Sequence, residues 1–239
     1  MPYADVNGLH LYYEEHGEGS PLVLLHGGLM TIELNFGVAL PALAEHHRVI
    51  AVEFQGHGRT ADVDRPPAFP DFATDVIALL DHLGVKRADV VGFSVRGLTG
   101  YELVISYPDR VRRAVVASAD HRNDRAGEAD PARLPTPDDF EAMRDAYVVT
   151  APDPGAFDAV AQKTSGLVQS FTGWTDDQLR HAQVPVLVLV GDTDFIHVEN
   201  AAEAMRLLPQ GQLAVLPGTT HMDLTRSTLL APVIEAFLA

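Results

Sequence analysis

Ser94, Asp194 and His221 stand at three matching places in this chain, each shortly after a short apolar run. Gly92-Phe93-Ser94 follows the run Ala88–Val91, and a helical pattern starts directly afterwards. A serine at a sharp strand-to-helix turn presents its Oγ above the sheet. The helix behind it offers unpaired N–H groups and a positive dipole end to a developing oxyanion. Val184–Val190 is followed by Gly191-Asp192-Thr193-Asp194, and Leu213–Leu216 by Pro217-Gly218-Thr219-Thr220-His221. If these runs are strands of one sheet, an acid and an imidazole join the serine at its C-terminal edge. The chemistry is nucleophilic. A serine hydroxyl attacks poorly at neutral pH unless an imidazole takes its proton, and the imidazole needs a carboxylate to fix its tautomer and stabilise its cation. Ser94 alone could equally be a helix cap; the ordered set of Ser, Asp and His is what points to catalysis.

Such placement requires strands that end together. The chain opens as a hairpin, Tyr3–Val6 and Leu9–Glu14 around Asn7-Gly8, both of which tolerate positive φ. Short apolar runs then alternate with helical patterns: Leu22–Leu25, Val49–Phe54, Ala88–Val91, Ala114–Ala117, Val184–Val190 and Leu213–Leu216. A parallel sheet covered on both faces produces that alternation. One helix is expected over Asp71–Leu83, with Phe72, Val76, Leu79, Leu80 and Leu83 on one stripe and Gly84 as its cap. Others are expected near Asn200–Leu208 and Leu229–Leu238. From Asp120 to Gln183 no strand pattern appears, prolines 131, 135, 137, 152 and 154 punctuate the chain, and short helices are expected near Asp138–Val148 and Ala156–Val168. The expected architecture is α/β: a mostly parallel central sheet with helices on both faces. Segments 1–119 and 184–239 form the core, and 120–183 a small helical lid or cap insertion. Ligands bind above strand C-termini, where a lid would sit; decoration remote from the pocket is the plainer alternative.

Composition narrows the function classes. The chain has 239 residues, 46% of them hydrophobic, enough for one domain with a sizeable core. Its net charge of −16 repels phosphate backbones and anionic lipid, so neither nucleic acid nor a membrane surface is an expected partner. The absence of cysteine removes disulfides, thiolate catalysis and Cys-ligated metals. The opening MPYADVNGLHLYYEEHG has neither the basic nor the apolar region of a signal peptide, so a cytoplasmic protein is expected. No pair of His and carboxylate shows metal-ligand spacing, and no cofactor is expected. The partner is a small-molecule substrate, and a homodimer could form through the lid or edge strands. His46 and His47 are expected to face solvent, His57 and Arg59 to shape a loop, His26 to bond within its loop, and Glu53 to be structural.

Five segments in order resemble the α/β-hydrolase fold family, in its small serine esterase, lactonase and haloperoxidase-like branch: LLHGG at Leu24–Gly28, QGHGR at Gln55–Arg59, VGFS at Val91–Ser94, GDTD at Gly191–Asp194 and PGTTH at Pro217–His221. The likeness is weakest in the insertion. It implies a serine hydrolase with Ser94 as nucleophile, His221 as general base and then acid, and Asp194 as the orienting carboxylate. Asp192 is the competing acid, but the family places its acid three residues after the glycine. The likeness also implies an oxyanion hole from the backbone N–H groups of Gly28 and Val95, with Leu29 as the alternative to Gly28. Serine at the nucleophile position argues against dehalogenases and epoxide hydrolases, which carry aspartate there.

One residue departs from the family. The usual Gly-x-Ser-x-Gly turn reads Gly92-Phe93-Ser94-Val95-Arg96, and a side chain at the second glycine has little room. Arg96 could reach solvent or a carboxylate, distort the turn, or enter the pocket. Leu29, Met30, Phe93, Arg96, Phe171 and Trp174 are the expected pocket residues. Three functions follow: hydrolysis of a small to medium, hydrophobic ester or lactone through an acyl-enzyme; C–C or amide hydrolysis, or a lyase reaction, on the same triad; or small-molecule binding with weak or no turnover because of Arg96.

Overall fold

A computed structural model of the chain describes residues 2–122 and 130–239. β1 (Tyr3–Val6) and β2 (Leu9–His16) pair antiparallel across Asn7 and Gly8, whose φ values of 48° and 80° close a two-residue hairpin. β2 also pairs antiparallel with β4 (His47–Glu53). β3 (Ser20–Leu25), β4, β5 (Ala88–Phe93), β6 (Val111–Ala117), β7 (Val186–Gly191) and β8 (Gly211–Leu216) run parallel to one another. The sheet has eight strands in the order β1-β2-β4-β3-β5-β6-β7-β8. After β3 the chain moves outward to β4, then returns past β3 to β5. Between β3 and β5 the winding therefore reverses, and loops leaving their C-termini diverge to open a crevice.

Alternation along the strands divides the core in two. Val23 and Leu25 join one apolar cluster, Leu22 and Leu24 the other. The first cluster is covered by α3 (Phe69–His82), α4 (Val95–Ser106) and α8 (Val198–Leu207). The second is covered by α1 (Ile32–Phe36), α2 (Leu40–Leu43), α9 (His221–Arg226) and α10 (Leu230–Leu238). Phe72, Val76, Leu79 and Leu80 of α3 are buried as their spacing requires. This is an α/β fold with a mostly parallel central sheet.

Between β6 and β7 lie α5 (Pro137–Thr150), α6 (Phe157–Ser170) and α7 (Asp176–His181). The first two occupy the expected places and are longer by about one turn in all. α7 was not anticipated, because six residues show too little periodicity. It starts in a capping box of Thr175 and Gln178, and its Leu179 is wholly buried in the core. His47 departs from expectation too: it opens β4 at 7% exposure, with Nε2 3.2 Å from Glu235 Oε2. Strand alternation turns it inward, whereas His46 stays exposed. Among the described residues, no helix is long and apolar enough to cross a membrane.

Candidate active site

Ser94 occupies the junction of β5 and α4 with φ 55° and ψ −125°, a conformation that L-residues rarely adopt. Its backbone is held from both sides, since its N–H donates to Ala117 O at 2.8 Å and its C=O accepts from Leu98 N at 3.3 Å. The turn closes only because the chain is bare on either side. A Cβ on Gly92 would stand 2.3 Å from Arg96 O, and one on Gly97 would stand 2.7 Å from Ala119 Cβ.

His221 and Asp194 converge on this serine. His221 Nε2 is 2.9 Å from Ser94 Oγ, and His221 Nδ1 is 2.9 Å from Asp194 Oδ1. A carboxylate only accepts, so the Nδ1 proton lies toward Asp194 and the Nε2 lone pair faces the serine hydroxyl. Asp194 is held in turn by Ser118 Oγ at 2.6 Å and by Ile196 N–H at 2.9 Å. Burial alone would raise the Asp194 pKa, but His221 beside it and these donors outweigh burial and hold it below its ordinary value. The His221 ring lies between Phe195 at 4.2 Å and Phe93 at 4.9 Å, which fixes its plane. Asp192, the competing acid, is exposed and accepts from Thr219 N–H at 3.1 Å. The β7 and β8 exits pack so tightly that a Cβ on Gly191 would meet Thr219 O at 1.9 Å. Ser118, Ile196 and Phe195 were not foreseen. A serine directly after the run Ala114–Ala117 was the only available signal.

The loop after β3 faces the helix from across the crevice. A Cβ on Gly28 would lie 3.2 Å from Val95 Cγ2, so the two residues are close neighbours. Val95 opens α4, leaving its N–H without an intrahelical acceptor. Gly27 N–H is already used by Asn35 Oδ1 at 2.7 Å. His26 behaves as a loop group: Nδ1 contacts Gly27 O at 2.7 Å and Nε2 accepts from Phe54 N–H at 3.2 Å. Glu53 likewise accepts from Arg59 N–H at 2.6 Å and Arg59 Nη1 at 3.0 Å.

Ser94 lies in the wall of a pocket of about 330 Å³. Val95, Leu98, Ala119, Leu134, Val168, Phe171, Phe195 and Ile196 supply apolar walls, while Asp120, Arg122, His197 and Asn200 make one polar side. Leu134, Val168 and Phe171 come from the helical stretch between β6 and β7. Of the six expected pocket residues only Phe171 lines it. Met30 and Phe93 are 2% exposed and belong to the core, and Leu29 is half-buried with φ 60°. Trp174 is a packing residue instead, its Nε1 donating to Glu102 Oε2 of α4 at 3.1 Å and its ring packing 4.8 Å from Phe171.

Arg96 follows none of the three anticipated courses. It is buried at 1% exposure, with its guanidinium 4.1 Å from the Phe72 ring and 4.8 Å from the Phe54 ring. The Ser94 turn nonetheless holds Oγ 2.9 Å from His221 Nε2. Among the described residues Nε and Nη1 have no hydrogen-bond partner, and they border a cavity of about 20 Å³ beside His57. Burial lowers the Arg96 pKa to about 9, partly opposed by Asp75, which is itself paired with Arg65 at 2.7 Å. Burial, with the Arg96 charge second, drives His57 down to about 3, so this imidazole is neutral at physiological pH.

The sequence profile of the alpha/beta hydrolase fold matches residues 20–163. Over 124 residues the chain is 36% identical to a protein of Azorhizobium caulinodans named carbamate hydrolase RutD, covering 52% of this chain and 46% of that one. The matched stretch thus spans about half of that relative. A non-heme haloperoxidase of Rhodococcus erythropolis is 28% identical over 256 residues, 92% of this chain and 93% of the other. Among solved structures, Est816, described as an N-acyl homoserine lactone degrading enzyme, superposes with a TM-score of 0.80 at 24% identity, covering 99% of this chain and 100% of that one. The enol-lactonase of Burkholderia xenovorans LB400 superposes with a TM-score of 0.80 at 23% identity, covering 99% of each chain. At those identities the two structures speak for the fold alone. The profile match over more than half the chain settles the family: this chain belongs to the alpha/beta hydrolase fold family.

Proposed function

We propose that the protein is a serine hydrolase that cleaves small to medium, largely apolar carboxylic esters or lactones through an acyl-enzyme. Ser94 Oγ attacks the carbonyl carbon while its proton passes to His221 Nε2. The oxyanion is met by the N–H groups of Gly28 and Val95, with a backbone donor there contributing about 3 kcal/mol to transition-state stabilisation. His221 then returns the proton to the leaving oxygen, and a water activated by the same nitrogen hydrolyses the acyl-enzyme. Asp194 holds the imidazole and stabilises its cation, and Ser118 and Ile196 hold Asp194. Leu134, Val168 and Phe171 make the insertion a lid that shields the acyl group from bulk water.

The single observation that carries this proposal is the hydrogen-bonded chain Asp194–His221–Ser94, with 2.9 Å at both links, ending on a pocket wall. The test is intact mass after incubation with a fluorophosphonate, alongside turnover of p-nitrophenyl esters. One adduct on Ser94, and loss of both labelling and turnover in Ser94→Ala, is the expected result. Full esterase activity in Ser94→Ala would exclude the mechanism. The likeness to a named carbamate hydrolase favours a second reading in which the leaving atom is nitrogen, with His221 protonating it. A panel pairing each ester with its carbamate and amide separates the two.

A further inference from the structure

A second group of side chains converges where the insertion rejoins the core. His121 stands four residues past the end of β6, Asp176 opens α7 and Glu203 lies on α8. Each offers one ligand atom, and the three atoms lie within 4.8 Å of one another. His121 is wholly buried, yet neither ring nitrogen has a hydrogen-bond partner among the described residues. Its Nδ1 comes no closer than 3.4 Å to Asp120 Oδ1, without making a hydrogen bond, and Oδ1 accepts instead from Arg122 N–H at 3.1 Å. A buried imidazole with both nitrogens unmet is destabilising unless something outside the chain meets it.

The carboxylates face the other way. Asp176 and Glu203 are 39% and 37% exposed, which leaves a path from solvent to the imidazole. Arg122 Nη1 stands 3.4 Å from Glu203 and 4.0 Å from Asp176, and Arg180 reaches Asp176 at 3.2 Å. These guanidinium groups account for the two acids but give the His121 ring no partner. We propose that His121, Asp176 and Glu203 bind one divalent transition-metal ion of the zinc class, with water completing its shell. One imidazole beside two carboxylates suits zinc or cobalt, whereas magnesium and calcium prefer sites made of oxygen alone. The net charge of −16 raises the local concentration of any cation. The ion ties the β6 exit, α7 and α8 together. It also takes over Arg122's position between the acids, and Arg122 lines the pocket beside Ser94.

The test uses the full chain stripped with EDTA and dialysed, then titrated with zinc and, separately, with magnesium. The expected result is one zinc per chain and a thermal midpoint raised by roughly 5–10 °C at a hundredfold excess over Kd. Glu203→Gln and Asp176→Asn, both at partly exposed positions that leave the core intact, each weaken zinc binding by at least about tenfold. Cobalt loaded in place of zinc gives the visible absorption of an imidazole-ligated ion, lost in both variants. Zinc binding unchanged in both variants would place the ion elsewhere and overturn the proposal. So would the absence of stoichiometric binding, or magnesium raising the midpoint as much as zinc.

Discussion

Replacing Arg96 with methionine should stabilise the protein, although the change removes two ring contacts. The interior pushes the guanidinium from its ordinary 12.5 down to about 9. At about 1.4 kcal/mol per pKa unit, that displacement means burial works against the charged form by roughly 5 kcal/mol. Stacking against Phe54 and Phe72 offsets part of this, at about 2 kcal/mol for each desolvated cation–π contact. A methionine fills much of the same space, needs no hydrogen bonds, and gains about 2 kcal/mol from burial of its thioether chain against those rings. The balance favours Arg96→Met by about 1–3 kcal/mol, which for a chain of this size raises the thermal midpoint by roughly 3–10 °C. Because Met keeps a Cβ at this position, the Ser94 turn and its 2.9 Å contact with His221 should be untouched and turnover little changed. The assay is urea unfolding at pH 7 followed by circular dichroism and by the fluorescence of Trp174, the one tryptophan, which is 8% exposed. A loss of more than about 1 kcal/mol, at unchanged dependence on urea, would refute the reasoning. It would mean that a species in the adjoining 20 Å³ cavity satisfies the guanidinium after all.

Ser118→Ala removes the 2.6 Å donor to Asp194 and should lower kcat roughly tenfold at unchanged KM, as expected when a hydrogen bond to a charged group is lost. The same change has a pH signature in stability. Asp194's depressed pKa contributes stability that is full above the ordinary carboxylate value of about 4 and is lost as pH falls through the folded value. Ser118→Ala raises that folded value, so its stability deficit should be present at pH 7 and shrink below about pH 4, which urea midpoints across pH would reveal. Gly97→Ala should destabilise the fold by about 1–3 kcal/mol, since its methyl would meet Ala119 Cβ at 2.7 Å. A thermal midpoint equal to that of the native chain would show that α4 can shift away from β6.

Most of the fold could be read from the chain because the relevant signals are local. Continuous apolar runs mark strands buried on both faces, as β3, β5 and β7 are, and Asn7-Gly8 marks the hairpin. The long helices carried their period over three or more turns, as in α3. The short ones did not: α1, α2, α7 and α9 span four to six residues and owe their form to packing and caps. The three chemical groups were legible for a related reason. Each follows the end of a strand, so parallel pairing alone brings Ser94, Asp194 and His221 to one edge.

Residue type and spacing by themselves determined the α/β architecture and the meeting of serine, acid and imidazole. Only the tertiary structure decided what surrounds them. It gave Asp194 the Ser118 and Ile196 donors, placed His221 between Phe93 and Phe195, and turned Trp174 and Met30 into packing residues rather than pocket walls. It also set Arg96 against two phenyl rings and left the buried His121 ring with no hydrogen-bond partner among the described residues. The physical reason is range. A strand, a turn or a capped helix is written in residues a few places apart, whereas a side chain's partners can come from segments far away in the chain, 127 residues for Ser94 and His221 and 188 for His47 and Glu235. Those contacts exist only once the sheet has folded.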